Sequence, residues 1–433
     1  MIKFSNKTFY KRHNLELQKF VVNKNAIHIF PKYSKSKISD SQSTKLEIDP
    51  YEFVDTLNSI NTKFDVVILT DIIETTSDIS KLLFCVTNIL NENGKIIVSS
   101  INPKYLLIIK LLEFLRLKDK SRNLSYIHNK KFNQIANVYN LEFIYSYSRQ
   151  FLPFQLFFIG NFINNFFETF FFFLNMGIKT YTVLRFESKN QIKNFKKSII
   201  IPAKNEEENL KILIDRLPSK TSYEIIISCG KSTDKTYEVA MNLKKSIATH
   251  EIKVIKQTKN GKANAVWEAL EIVSGDLIAI LDADMSVDPE KIESFFQIIE
   301  TNKADFVNGT RLIYEMEDGA MRILNKFGNR FFQFIISKVI NVPLTDSLCG
   351  TKVFKKSLIK NIQWWQKTNK LYDPFGDFDL IFTAAVTGEK ISELPIHYKS
   401  RVHGVTQISR FKDGFKLIKY MVKCYLIFTT SKN

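Results

Sequence analysis

The sequence predicts a mixed α/β protein of two domains, and three observations carry that prediction. Aliphatic runs ending in acids, FDVVILTD (Phe64–Asp71) and LIAILDAD (Leu277–Asp284), read as buried parallel strands. Helical spacing follows such runs, as crossover connections require. Between two segments of different character lies ESKNQIKNFKK, polar and basic without apolar periodicity, which reads as a linker. The expected boundaries are residues 1–187, a linker at 188–196, and 197–433. A chain of 433 residues is long enough for both parts to bury a core.

Composition narrows the class. Hydrophobic residues make up 45% and charged residues 24%, as in ordinary globular proteins. The formal charge is +18, which suits nucleic acid, an anionic membrane or phosphorylated substrates. No Arg-rich helix, zinc-finger spacing or RNA-binding aromatic signature is present, so nucleic acid is not an expected partner. Cys85, Cys229, Cys349 and Cys424 lie far apart without a CxxC pair, which argues against a zinc site or a disulfide framework. The first twenty residues lack the apolar stretch of a signal peptide, so a cytoplasmic location is expected.

In the first segment the strand Phe64–Asp71 precedes a helix over Asp78–Leu90, a turn at Asn93-Gly94 and a strand over Lys95–Ser99. FDVVILTDIIET and ILNENGKIIVSSINP resemble the later half of class I methyltransferases, over roughly residues 63–186. That resemblance implies a Rossmann-like fold and S-adenosylmethionine. The glycine-rich first turn that admits such a cofactor is missing, since the first glycine of the chain is Gly94. The segment therefore reads as a truncated, inactive relative. Of the 37 phenylalanines, eleven crowd into Phe151–Asn175, where Glu168 is the single charge and six Pro, Gln, Gly and Asn residues interrupt the run. This pattern suits a membrane-interface or domain-packing helix better than a span.

The second segment carries the chemistry. Ser198–Ile201 reads as a strand stopped by Pro202, followed by a helix over Glu206–Leu217, so Asn205 and Glu206 sit at a strand's C-terminal end. Capping of that helix is the plainer role for these two residues. The strand Tyr223–Ser228 leads to Ser232, Thr233 and Asp234. Gly261 and Lys262 precede a helix whose amides suit an anionic diphosphate. Asp282 and Asp284 follow an aliphatic strand, where two carboxylates one residue apart can share a divalent cation.

IPAKNEE, STDKT, GKANA and DAD, in that order, resemble the family 2 glycosyltransferases with their GT-A nucleotide-sugar fold, from about Ser198 to Tyr420. The resemblance implies that Pro202, Asn205, Glu206 and Asp234 hold the nucleoside of a UDP- or GDP-sugar. It places Lys262 near the nucleotide and Mg²⁺ or Mn²⁺ on Asp282 and Asp284. Cys229 and Gly230 depart from the family's acid-rich pattern, which affects base recognition. LTDSLCGTKVF resembles a segment of the polyprenyl-phosphate sugar transferases, which implies acceptor or phosphate contacts for Asp346 and Lys352, and RVHGVTQ resembles the family's RxxGxSK element, which implies a phosphate contact at Gly404. Arg401 resembles a donor-phosphate contact, and Gln407 replaces a lysine. Asp377 is the candidate base for a hydroxyl acceptor, with Asp379 second. His397 reads as structural.

These readings add up to a metal-dependent, inverting transferase with a polyprenyl-phosphate acceptor, peripherally attached to the cytoplasmic face of a membrane. A saccharide acceptor in cell-surface polysaccharide synthesis is one alternative. A scaffold of two decayed enzyme domains is the other. The apolar and basic Gly414–Thr430 suits an amphipathic helix, either on a membrane or packed on the domain.

Overall fold

The computed structural model describes residues 7–34, 36, 38, 43–76, 78–114, 129–151, 163–164, 166–168, 175–186, 195–314, 323–371, 373–399 and 410–429. Most of Phe151–Asn175, and Arg401, His403, Gly404 and Gln407, lie outside them. The α/β class expected from the sequence is the class observed, in two compact units.

The first unit is built on a six-stranded sheet with strands β1 (Ala26–Pro31), β2 (Ser43–Ile48), β3 (Phe64–Thr70), β4 (Leu90–Ile101), β5 (Leu141–Arg149) and β6 (Lys179–Phe186). The order is β2-β1-β3-β4-β6-β5. The first four are mutually parallel, and β6 runs antiparallel between β4 and β5. The helix expected at Asp78–Leu90 is Ile79–Asn88, with Asp78 as its cap accepting from the Lys81 amide at 2.9 Å. The turn expected at Asn93-Gly94 is instead an irregularity within β4. Phe64 pairs with Leu90, the register shifts, and Val66 pairs with Lys95. A glycine fits there because any side chain at 94 would meet the Leu90 side chain and the Asn91 carbonyl.

The second unit contains a seven-stranded sheet: β7 (Lys197–Ala203), β8 (Glu224–Cys229), β9 (Glu251–Lys256), β10 (Leu277–Ile280), β11 (Phe306–Thr310), β12 (Lys352–Lys355) and β13 (Ile391–Pro395). Its order is β13-β11-β12-β10-β7-β8-β9, with β12 antiparallel to both neighbours and the other pairs parallel. Pro202 does not stop β7, because it pairs in register with Ser228 and the strand runs on to Ala203. Ile280 of β10 lies opposite both Ile200 of β7 and Lys352 of β12. β12 therefore enters the sheet at the edge where β7 and β10 leave it, and Asn308 of β11 reaches the same edge opposite Lys352. Ile199, Ile225, Ala279 and Phe295 are fully buried in the core beneath that edge.

Candidate active site

Loops following β7 and β8 are laced together by the residues expected to hold a nucleoside. Asn205 adopts φ 56°, and its Oδ1 accepts from the Thr233 amide at 2.8 Å. Its own amide donates to Ser232 Oγ at 3.1 Å. Asp234 accepts from the Thr236 amide (3.0 Å), the Thr236 hydroxyl (2.5 Å) and the Glu207 amide (3.2 Å). Burial raises its pKa, but these hydrogen bonds outweigh burial and leave it lowered. Glu206 accepts from Asn209 Nδ2 at 2.6 Å and donates its amide to Thr236 Oγ1 at 2.9 Å. The buried Cys229 thiol is pushed up to about 11 by burial and then by Asp234. It is a neutral wall rather than the acceptor a carboxylate would be.

At the neighbouring strand end, Gly261 takes φ 100°, open to glycine, and starts helix α8 (Lys262–Leu270). The helices before it are α1 (Lys7–Val21), α2 (Val54–Asn58), α3 (Ile79–Asn88), α4 (Leu106–Phe114), α5 (Asn129–Val138), α6 (Glu207–Asp215) and α7 (Thr236–Ser246). Lys262 Nζ lies 2.5 Å from Asp282 Oδ1. Burial lowers the Lys262 pKa, yet Asp282, Asp377 and Asp284 together hold it above the ordinary lysine range. Asp282 is the ion-pair partner of this ammonium, and the charges of Asp377 and Asp284 add to its shift. Asp282 is lowered in turn: burial raises it, and Lys262, Lys352 and Arg311 overcome that. Asp284 is buried and accepts from the Ser286 amide (3.1 Å) and hydroxyl (2.6 Å).

Gly350, within the LTDSLCGTKVF segment, packs directly against the Lys262–Asp282 pair. A Cβ at this position would fall onto the Asp282 carboxylate and within 2.6 Å of Lys262 Nζ. Two residues on, Lys352 is fully buried, bonded to the Cys349 carbonyl and 2.7 Å from Asp377 Oδ1. Asp377 opens α12 (Asp377–Val386), which follows α9 (Ile292–Glu300), α10 (Ile323–Ile340) and α11 (Leu358–Asn369). The Lys352 ammonium is thus already engaged by Asp377 and the Cys349 carbonyl.

Asp379 faces a different set of partners. It accepts from Tyr420 of α13 (Arg410–Thr429) and from Gln366 Nε2 at 3.2 Å. Trp365 Nε1 donates to the same Tyr420 oxygen at 2.9 Å. Capping of α12 falls to Asp373, which sequence reasoning missed. Its carboxylate accepts from the amides of Phe375 (3.1 Å), Phe378 (2.8 Å) and Asp379 (3.1 Å). An acid ahead of Pro-Phe-Gly and a helical run was the available signal. Burial, then the neighbouring carboxylates, pushes Asp373 and Asp379 above the usual carboxylate range.

Asp346 is fully buried and held by the Arg311 guanidinium at 2.6 and 2.9 Å, the Arg311 amide at 3.1 Å and Asn329 Nδ2 at 2.6 Å. Burial raises its pKa, but Arg311 and Asn329 bring it down to about 2. Its carboxylate fastens the 344–350 loop, and Arg311 is a second residue sequence reasoning did not reach. His397 is exposed and stacks on Tyr314 at 4.3 Å.

The Glycosyl transferase family 2 profile matches residues 198–363. The dolichol-phosphate mannosyltransferase of Pyrococcus furiosus is 25% identical over 53% of this chain and 63% of its own length. The dodecaprenyl-phosphate galacturonate synthase of Rhizobium johnstonii is 24% identical over 51% of this chain and 64% of its own. This chain thus aligns with less than two thirds of either relative. A solved glucosyl-3-phosphoglycerate synthase from Mycobacterium tuberculosis with bound UDP is 18% identical, covers 53% of this chain and 80% of its own, and superposes with a TM-score of 0.41.

Proposed function

Residues 198–363 are a family 2 glycosyltransferase domain, and from that premise we propose that this protein transfers a sugar from a nucleotide diphosphate to a polyprenyl phosphate at the cytoplasmic face of a membrane. The observation that carries the acceptor class is the Lys352–Asp377 pair. A hydroxyl acceptor needs a free base, and a carboxylate 2.7 Å from a buried ammonium is a poor one. A lipid phosphate is already an anion and needs only positioning. Both relatives described above carry names that specify a polyprenyl-phosphate product or substrate.

In the proposed reaction a phosphate oxygen bonds to the anomeric carbon as the carbon–oxygen bond to the nucleoside diphosphate breaks. In-line attack inverts that carbon. Asn205, Glu206 and Asp234 shape the nucleoside loops, with Pro202 at their base. Lys262 and the first amides of α8 meet the diphosphate. Asp282 and Asp284 would hold Mg²⁺ or Mn²⁺ through their hard oxygen donors, which would require Asp282 to leave its pairing with Lys262. The bound cation would neutralise charge on the departing nucleotide. Arg311 and Asp346 position the 344–350 loop. Arg401 and Gly404 retain the donor-phosphate and acceptor roles that the family resemblance implies. For the first unit we propose no S-adenosylmethionine binding. At the ends of β1 and β3, Asp71 is already engaged by Lys179 and, at 2.8 Å, by Ser34 Oγ, where an open sheet would admit a ligand.

The test is turnover with UDP- and GDP-sugars, Mn²⁺ or Mg²⁺ and a short polyprenyl phosphate, following nucleoside diphosphate and glycolipid, with Asp284→Asn as control. Metal-dependent glycolipid that disappears in the variant supports the reading. Nucleotide release with a saccharide product only would replace the acceptor. Absence of donor binding would favour a decayed scaffold.

A further inference from the structure

Helix α13 has two apolar faces, and only one of them is buried. Leu417, Tyr420, Met421 and Cys424 are at most 4% exposed and pack inward. At 100° per residue the opposite face is Phe415, Ile418 and Val422, exposed by 71%, 42% and 48%. Lys416, Lys419 and Lys423, all exposed, run alongside that stripe, and no acid occurs between Gly414 and the helix end. The outer face of a helix resting on a soluble domain is normally polar. An apolar stripe edged by lysines matches instead the boundary between lipid headgroups and acyl chains.

A second helix repeats the arrangement. Along α10, Phe332, Ile336 and Val339 are buried, whereas Phe331 and Phe334 are 51% and 60% exposed, with Lys338 Nζ 5.9 Å from the Phe334 ring. Both helices are tied to the site from their inner faces. Asn329 of α10 donates to Asp346 at 2.6 Å, and Tyr420 of α13 donates to Asp379. Both also rest on Phe378 of α12, Phe332 at 5.5 Å and Tyr420 at 6.2 Å between ring centroids.

We infer that the outer face of α13, seconded by the exposed phenylalanines of α10, docks the second unit on an anionic lipid surface and so presents the Asp377 side of the site to an acceptor held in that surface. Charge complementarity selects the occupant, because an apolar partner protein would not require an all-basic border. The inference deepens the polyprenyl-phosphate reading, but vesicle binding needs no turnover, so the two fail separately.

The experiment is co-sedimentation of the full chain with phosphatidylcholine vesicles, with and without phosphatidylglycerol. Wild type is expected to bind the anionic vesicles and to be released by salt. A lysine near such a surface contributes about fivefold in partition, so Lys416→Gln/Lys419→Gln/Lys423→Gln should weaken it on the order of a hundredfold. Phe415→Ser/Ile418→Ser/Val422→Ser should abolish sedimentation while circular dichroism, thermal midpoint and nucleotide binding stay as in wild type, since these side chains point to solvent. Equal binding by wild type and both variants overturns the proposal. So does failure of the wild type to bind, and so does a dimer that the apolar substitutions convert to monomer without any vesicle effect.

Discussion

Lys352 and Asp377 form an ion pair of 2.7 Å in which the ammonium is wholly excluded from solvent and the carboxylate retains 8% of its exposure. Desolvating both charges is costly, and their attraction offsets that cost only while both are present. Lys352→Met alone should therefore destabilise the second unit by about 3 kcal/mol, and Asp377→Leu alone by a similar amount. The double variant should recover most of the loss, which a double-mutant cycle in denaturant would read. Losses that simply add would show that the two charges are not energetically coupled.

Gly350→Ala tests how closely the 344–350 loop approaches the site. Its methyl group must displace the Asp282 carboxylate or the Lys262 ammonium. Relaxation of that overlap should cost about 1–3 kcal/mol of stability. The more telling readout is Mn²⁺-dependent nucleotide binding by calorimetry. A loss of tenfold or more is expected, because one DxD carboxylate is turned away. Gly328→Ala, where no atom lies within 4 Å of the added carbon, serves as the silent control.

How much of this was legible in the sequence follows from what each signal measures. Aliphatic runs such as Ile199–Ile201 and Leu277–Ile280 report burial directly, so strand positions and the acids at their ends could be read. Partnership is a different matter. Nothing local tells Lys352 that its ammonium is to meet Asp377 rather than a phosphate, or Gly350 that Asp282 lies against it. Both contacts arise because antiparallel β12 begins at the edge where β10 ends, a topological fact that periodicity does not encode. The proline at 202 misled because its missing amide proton is harmless at a strand end, and the ladder continues through it to Ala203. In the first unit the glycine in β4 looked like a turn, yet it accommodates a register shift between Phe64 and Val66.

Acid and neutral pH should destabilise the second unit through different carboxylates. Asp346 is held at about 2, below its unfolded value, so its contribution is complete above about pH 4 and is lost as pH falls toward 2. The loss is about 2 kcal/mol by linkage, and Arg311→Lys, which gives up the two-pronged contact, should reduce it. Asp373 and Asp379 are displaced the other way, chiefly by burial. Their folded forms favour the proton, so the stability they confer is present at and below the usual carboxylate range and is lost as pH rises toward neutrality. Asp379→Asn should flatten that alkaline limb in chemical denaturation across pH while leaving the acid limb in place.

Asn205 separates backbone geometry from side-chain contact in the nucleoside loops. Its φ of 56° is a conformation that asparagine and glycine tolerate and alanine does not. Its Oδ1 also receives the Thr233 amide at 2.8 Å, which ties the loop after β7 to the loop after β8. Asn205→Gly removes the tie and leaves the turn unstrained. Asn205→Ala removes the tie and adds roughly 1–2 kcal/mol of strain. If the tie is what arranges the nucleotide site, both variants should weaken UDP or GDP binding equally, with only the alanine form showing the extra fall in thermal midpoint. If the turn itself matters, glycine should bind nucleotide nearly as well as wild type and alanine should not. The first outcome is expected, because Ser232 Oγ still receives the residue-205 amide in either variant and so maintains the turn, whereas the Thr233 amide loses the Asn205 Oδ1 it donates to.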